Sequence, residues 1–294
     1  IIESTCPVGS TNKIVKLIKL KRPDLKIPNK NNNFSDISIA YCPERVLPGN
    51  IINELSSNDR VIGGFSSSCA KKTKEFYKRF VNSELYLTDS KTAELCKLVE
   101  NSYRDLNIAF ANELSIICDK LDIDIWNLIK LANKHPRVQI LQPGPGVGGH
   151  CIAVDPWFII HQCPEETKLI KKAREVNNYK TIHVINKIHK TIKKINKPLD
   201  KIIISFFGIT FKPNIDDIRE SPSLRIVEEI SKDRFLQLLI VEPNISRLPK
   251  SLEARKNVKL CSIENAFNLS EVIVLLVDHL EFQKLNIKPL FENK

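Results

Sequence analysis

The stretch Gly146-Val147-Gly148-Gly149-His150-Cys151-Ile152-Ala153-Val154-Asp155-Pro156 places a thiol directly after a glycine-rich turn and a carboxylate four residues later. Glycine tolerates positive φ and allows close backbone approach to a ligand. A cysteine there can meet a substrate carbon that a side chain on a packed element could not. A lone cysteine is ordinarily a small buried hydrophobe. Here Pro143, Pro145 and the three glycines exclude a helix or strand interior, which points to a reactive thiol, the nucleophilic form being the thiolate. Asp155 can orient a lysine or water beside that thiol, or cap the segment that follows. A hydrolase pairing Cys151 with His150 is disfavoured, because catalytic partners are normally distant in sequence.

Other residues could complete such a site. Lys97 and Asn101 lie four apart on a helical pattern and share one face, beside the apolar stripe. They are either a solvated lysine and a passive asparagine or an ammonium and an amide that stabilise an oxyanion. Glu44, in Tyr41-Cys42-Pro43-Glu44-Arg45, follows a strand-like run, and Thr5 stands in a similar strand-exit position. Residues at strand ends in α/β sheets face the ligand crevice or plain solvent. Lys212 and Arg219 occupy the loop Gly208–Pro222 ahead of a helix start and are candidate phosphate ligands. No GxGxxG turn occurs in the chain, so a complete dinucleotide fingerprint is absent.

The elements that must hold these residues are of α/β texture. Ile37–Tyr41 and Val61–Ile62 read as strands, and Ser67–Val81 as a helix between strand-like segments, with Pro43, Pro48 and Gly49 marking a loop. From Thr92 to Leu121 the period changes. Leu95, Leu98, Val99, Leu106, Phe110, Leu114, Ile117 and Leu121 recur at helical spacing without Pro or Gly. Asp89 or Ser90 is placed to cap this long helix, and Glu94 to complement its dipole in the first turn. Further helices are expected over Ile125–Asn133 and Glu165–Ile195. After Pro198, the apolar runs Lys201–Phe207, Leu238–Val241 and Val272–Val277 surround a helix start at Ser221-Pro222, a second βαβ-type unit with parallel strands.

The chain has 294 residues, 42% hydrophobic and 27% charged, which fits two or three soluble domains. No apolar run is long enough to span a bilayer, and nothing at the start resembles a signal peptide. Eight scattered cysteines without a CxxC pair point to reduced thiols in the cytoplasm and against a structural zinc, though His150, Cys151 and Cys163 are conceivable together. The formal charge of +11 invites a nucleic-acid reading. The lysines are spread among Asn and Ile without interleaved aromatics, so no nucleic-acid partner is expected and a solvated face accounts for the charge. The chain has no Met and opens as if leaving a strand, so a start further upstream is expected.

The segments ESTCPVGST (Glu3–Thr11), IAYCPERVLPGN (Ile39–Asn50), RVIGG (Arg60–Gly64), AELCKLVENSYRDLNIAFANELS (Ala93–Ser115), LANKHPRVQILQPGPGVGGHCIAVDPWFI (Leu131–Ile159) and FKPNIDDIRESPS (Phe211–Ser223) together resemble the nucleotide-sugar 6-dehydrogenases, the UDP-glucose/GDP-mannose dehydrogenase family. The variety most resembled oxidises UDP-N-acetyl-D-mannosamine for surface polysaccharide. The resemblance covers almost the whole chain. It implies the remainder of an NAD-binding Rossmann domain (1–88), a central helical and dimerising domain with a long spine helix and the cysteine loop (89–197), and a C-terminal Rossmann-like UDP-sugar-binding domain (198–294). It also implies about 100 upstream residues carrying the GxGxxG turn, and a C-terminal strand cut short after Phe291. UDP-glucose dehydrogenases carry a second glutamate where Pro48 stands, so Glu44 alone takes the carboxylate role.

The mechanism the resemblance implies is two hydride transfers to NAD at one sugar carbon. Cys151 captures the intermediate aldehyde as a thiohemiacetal, which becomes a thioester. Lys97 or water takes the hydroxyl proton, and Lys97 and Asn101 stabilise the oxyanion. Asp155 keeps Lys97 or the water network in register, while Glu44 activates the hydrolytic water that Thr5 helps place. Gly148, Gly149 and Lys212 serve the substrate, Arg219 serves the NAD pyrophosphate, Thr5 also contacts the cofactor, and Arg137 reaches the substrate site of a neighbouring subunit. A homodimer through the long helix is expected. Two other readings stay open: an inactive UDP-sugar-binding or dimerising piece, and a dehydrogenase of another UDP-sugar.

Overall fold

A computed structural model of the chain describes residues 1–29, 35–46, 51–233 and 236–285; Pro48, Gly49 and Phe291 lie outside the described residues. The chain divides into two compact units, Ile1–Tyr103 with Asp155–Lys168, and Arg104–Val154 with Leu169–Lys294.

In the first unit, helix α1 (Ser10–Lys21) precedes strand β1 (Ala40–Tyr41), then α2 (Ile51–Ser57), β2 (Arg60–Gly64), α3 (Ser67–Tyr77) and β3 (Leu85–Asp89). The sheet order is β1-β2-β3, with β1 antiparallel and β3 parallel to β2. The run expected over Ile37–Tyr41 shortens to two residues, because only Ala40 and Tyr41 find partners, Gly64 and Gly63. Helix α3 buries Cys69, Ala70, Thr73 and Tyr77, which share one helical face. It closes a core of Cys42, Ile62, Tyr77, Val81 and Leu85. The helix ends four residues earlier than expected, with Val81 held by a final turn onto the Tyr77 carbonyl.

Helix α4 (Ser90–Leu121) is the long helix read from the apolar period. Asp89 caps it, accepting from the Lys91 and Thr92 amides at 2.9 and 3.1 Å. Gly63 seats its start, since a Cβ there would meet the Ala93 Cβ at 2.5 Å. Glu94 does not sit in the first turn as expected. It is fully buried and accepts from the Gly9 and Thr11 amides at 2.5 and 2.7 Å, thereby capping α1. Helix α5 (Ile125–Ala132) follows in the second unit, and α6 (Asp155–Gln162), which periodicity did not reveal, belongs to the first.

The second unit continues through α7 (Lys168–Ile192), β4 (Ile203–Phe207), α8 (Pro222–Ile230), β5 (Gln237–Val241), α9 (Lys250–Glu253), β6 (Val258–Leu260), α10 (Ile263–Leu269), β7 (Val272–Leu275) and α11 (Leu280–Gln283). Helix α7 starts at Lys168, not at Glu165. The strands are parallel throughout, in the order β6-β5-β4-β7. This is the parallel βαβ sheet expected from the apolar runs. The chain reverses its direction of winding between β4 and β7, so their carboxyl ends flank a switch-point crevice. One face packs Ile204, Phe206, Leu238 and Ile240 against Ile226, Ile230, Ile188 and Ile192. The other packs Phe207 and Val241 against Phe267 and Phe282. Among the described residues no helix is long and apolar enough to cross a membrane.

Candidate active site

Two groups of side chains stand out, one in each unit. In the first unit the strand-like start of the chain runs beside β1. Ile2 N–H donates to the Ala40 carbonyl at 2.9 Å, Cys42 N–H to the Ile2 carbonyl at 2.8 Å, and Glu44 N–H to the Glu3 carbonyl at 3.4 Å. These parallel bonds bring the exits carrying half-buried Thr5 and Glu44 to one end of the sheet. The Glu44 carboxylate accepts from the Arg45 and Val46 amides at 2.7 and 3.0 Å and lies 3.9 Å from the buried Arg60 guanidinium. Arg60 in turn sits 4.9 Å from the Tyr77 ring centroid, and the Tyr77 hydroxyl donates to Glu3 at 2.5 Å.

From α4, Lys97 Nζ donates to the Glu44 main-chain carbonyl at 2.8 Å. One turn on, Asn101 Nδ2 donates to Asp155 Oδ2 at 2.5 Å. Asn101 and Asp155 are 6% and 3% exposed, so Asn101 is a buried, bonded group and not a passive one. A buried amide must hydrogen-bond or lose its solvation without compensation, and Asp155 at the first turn of α6 supplies the acceptor. Lys97 with the Glu44 carbonyl and Asn101 with Asp155 are therefore two separate bonded pairs, one turn apart on α4. An ammonium and an amide in fixed positions are groups that stabilise developing negative charge.

In the second unit the cysteine turn rests on the loop after β4. Gly149 N–H donates to the Arg219 carbonyl at 3.2 Å. Gly149 has φ +78°, and a Cβ there would meet the Phe211 ring at 2.9 Å. At Gly148 a Cβ would lie 2.5 Å from the Glu220 carbonyl oxygen. The backbone is thus pressed onto its support, and Cys151 is left exposed at the turn. Gly148→Ala should force the Glu220 carbonyl to move and cost about 1–3 kcal/mol. A thermal melt checks this, and an unchanged midpoint would mean that the turn is not seated there. Arg219 is exposed and makes a two-point ion pair with Asp217, at 3.0 and 2.6 Å. Hydrogen bonding to Asp217 raises the guanidinium above its ordinary range, with the nearby Cys151 a smaller contributor. Lys212 is half-buried, its Nζ 5.9 Å from the Phe211 ring centroid. Arg137 is exposed.

The stretch leading into the turn hangs from a polar ladder that the motif reading missed. Gly144 N–H donates to Asn112 Oδ1 at 2.9 Å, and Asn112 Nδ2 to Asn177 Oδ1 at 2.9 Å. Asn177 Nδ2 donates to Asp105 Oδ1 at 2.8 Å, and Arg174 Nη1 to the same atom at 2.6 Å. Thr181 Oγ1 adds a bond to the Pro145 carbonyl at 3.0 Å. The available signal was periodic: Asp105 and Asn112 are seven apart on α4, and Arg174, Asn177 and Thr181 follow helical spacing on α7. A cavity of about 730 Å³ opens beside Pro143–Pro145, lined among others by Trp126, Lys180, His183 and Leu275. That volume is in the range of small-molecule sites.

Family models match three successive segments. They are the NAD binding domain of the UDP-glucose/GDP-mannose dehydrogenase family over residues 1–81, its central domain over 91–179 and its UDP binding domain over 205–294. The chain belongs to this family. The UDP-N-acetyl-D-mannosamine dehydrogenase of Campylobacter jejuni is 55% identical over 282 residues, covering 96% of this chain and 68% of the relative. The NDP-N-acetyl-D-galactosaminuronic acid dehydrogenase of Ralstonia nicotianae is 48% identical, covering 99% and 67%. Among solved structures, the UDP-N-acetyl-mannosamine dehydrogenase of Staphylococcus aureus is 39% identical with a TM-score of 0.80, covering 99% and 64%. The chain thus spans about two thirds of the length of these dehydrogenases.

The family's cofactor is NAD, and the fit of the chain to it is partial. The first helix of the NAD-binding segment, α1, turns its N-terminal Gly9 and Thr11 amides onto the buried Glu94 carboxylate. That anion site is filled from within, so the pyrophosphate finds no cradle there. Among the described residues no group of three or more His, Cys, Asp or Glu is placed to hold a metal.

Proposed function

We propose that the chain carries the NAD-dependent four-electron oxidation of UDP-N-acetyl-D-mannosamine to the corresponding uronate. The single observation that carries this reading is the 55% identity to a UDP-N-acetyl-D-mannosamine dehydrogenase over nearly the whole chain, with Cys151 exposed on its glycine turn as the group that reaction needs. NAD, when bound, accepts the hydrides. Lys97, or a water beside it, takes the C6 hydroxyl proton, and the Cys151 thiolate adds to the aldehyde carbon to give a thiohemiacetal. Loss of the second hydride leaves a thioester. A water activated by Glu44 and placed by Thr5 cleaves it, returning the thiol and releasing the carboxylate. Lys97 and Asn101 stabilise the oxyanion at both tetrahedral stages, with Asp155 holding the Asn101 amide in place.

The UDP portion falls to the C-terminal domain, for which Lys212 supplies charge, with Gly148 and Gly149 shaping the sugar end. Arg219 serves the cofactor phosphates, and Arg137 reaches a neighbouring subunit's substrate. The domain limits that go with this reading are 1–88, 89–197 and 198–294, and its compartment is the cytoplasm. Incubation with NAD should yield two NADH per uronate from UDP-N-acetyl-D-mannosamine. Faster turnover of a galactosamine nucleotide would favour the second reading, for which the 48% identical relative speaks. Binding of UDP-sugar without turnover would identify a binding piece.

We also propose a homodimer through α4. Leu95, Val99, Tyr103, Phe110, Ile117 and Leu121 all lie on one face of the helix and are 40–67% exposed. Light scattering should give twice 33.6 kDa, and Val99→Asp should return the monomer. A wild-type monomer at micromolar concentration would refute the dimer.

A further inference from the structure

The carboxyl ends of β4, β5 and β7 meet over a buried pair, Glu242 and His279, that no step above employs. Both side chains are fully buried. Glu242 Oε2 accepts from the Ile209 amide at 2.8 Å, and its Oε1 from the Asn244 amide at 3.1 Å. His279 Nε2 lies 3.1 Å from the Glu242 carboxylate. Its Nδ1 lies 3.0 Å from the Asn214 main-chain nitrogen. A backbone amide can only donate, so Nδ1 is the acceptor and Nε2 carries the proton directed at Glu242. The imidazole is therefore a neutral strut with one donor and one acceptor, both in use.

The segment so held is the turn that carries Lys212. Thr210 is fully buried, and its Oγ1 donates to the Lys212 carbonyl at 3.0 Å. Asn214 adopts φ +61°, unusual for a residue with a side chain. It is kept there by His279 on its amide and by the Leu280 amide, which donates to Asn214 Oδ1 at 2.9 Å. The same turn includes Phe211, the surface on which Gly149 rests. Strands β4 and β7 flank the switch point where an α/β sheet receives its ligand.

We propose that His279, backed by Glu242, is a positioning residue that clamps the Thr210–Asn214 turn so that Lys212 meets the diphosphate of the nucleotide sugar. The clamp spans the two strands of the switch point, one end on the β7 exit and the other on the β4 exit. It rests on the assignment of Lys212 to the substrate.

Calorimetric titration of the chain with UDP tests both layers. Lys212→Ala should weaken UDP binding, and His279→Leu should weaken it about tenfold, the effect of losing one well-placed charged contact. His279→Asn, whose Oδ1 lies where Nδ1 lies, should recover most of the loss by restoring the acceptor for Asn214; a merely space-filling role would not distinguish Asn from Leu. Should His279→Leu fail to fold, Thr210→Val removes the hydroxyl that bonds the Lys212 carbonyl and lies 3.4 Å from His279 Nε2, and a several-fold loss of UDP affinity with an unchanged melting temperature is expected. If Lys212→Ala weakens binding while both Thr210→Val and any folded His279 variant bind as wild type, the clamp is overturned. If Lys212→Ala has no effect, or the chain does not bind UDP, the substrate assignment fails and the clamp with it.

Discussion

Cys151→Ser is expected to lower uronate formation from UDP-N-acetyl-D-mannosamine by at least about a thousandfold. Serine keeps the shape of the turn, so the loss reports chemistry. A thiol at its ordinary pKa already furnishes some thiolate at neutral pH, whereas a hydroxyl furnishes almost no alkoxide without a base beside it. The adduct on Cys151 also keeps the aldehyde from escaping between the two oxidations. The assay follows NADH together with uronate and aldehyde by chromatography. Mass spectrometry of quenched wild-type reactions should find the sugar nucleotide on the peptide containing Cys151. Free aldehyde released by wild type in amounts matching its uronate, or undiminished uronate from Cys151→Ser, would refute covalent capture.

The turn around Cys151 is legible in the sequence because proline and glycine act locally. Pro143, Pro145 and four glycines exclude regular structure whatever the rest of the chain does, and residues 141–149 form no helix or strand. The long helix and the parallel strands are legible for a similar reason, since their apolar periods run long enough to outweigh tertiary context. Helices α1, α2 and α6 are not. Lysines break the apolar face of α1, α2 is too short for a period to register, and in α6 the apolar residues Trp157–Ile160 are consecutive and show no helical spacing. Glu94 shows the deeper limit. Its sequence neighbourhood assigns it to the dipole of its own helix, but it caps α1, whose first residue lies more than eighty positions away. The ladder beneath Gly144 and the Glu242–His279 pair escape for the same reason. Each is a meeting of residues from separate elements, and the spacing within one element does not specify its partner.

Asp105→Ala is expected to cost about 3–5 kcal/mol, because it strands Arg174 as an uncompensated buried charge. The two side chains are 1% and 4% exposed. Asp105 is also where the Asn177 amide ends, so the ladder to Gly144 loses its anchor. For a unit of this size the melting midpoint should fall on the order of 10 °C. Asp105→Asn keeps an acceptor for Arg174 and Asn177 and should cost less. The pH dependence carries the sign of the pair's burial. Burial raises the Asp105 carboxyl above its ordinary 3.8, outweighing the opposing pull of Arg174 and the hydrogen bonds from Arg174 and Asn177. An acid raised in the folded state binds its proton more tightly there. Its stabilising contribution is full below pH 3.8 and is lost as the pH rises through the folded value. Relative to Asp105→Asn, wild-type stability should therefore decline with pH in the window just above 3.8. Denaturant melts of both proteins from pH 3.5 to 6 measure that difference, and parallel curves would show that Asp105 ionises in the fold as readily as in the unfolded chain. Hydrogen exchange at the Gly144 amide completes the test. If the ladder anchors the approach to the cysteine turn, its protection should drop in Asp105→Ala beyond the loss in global stability.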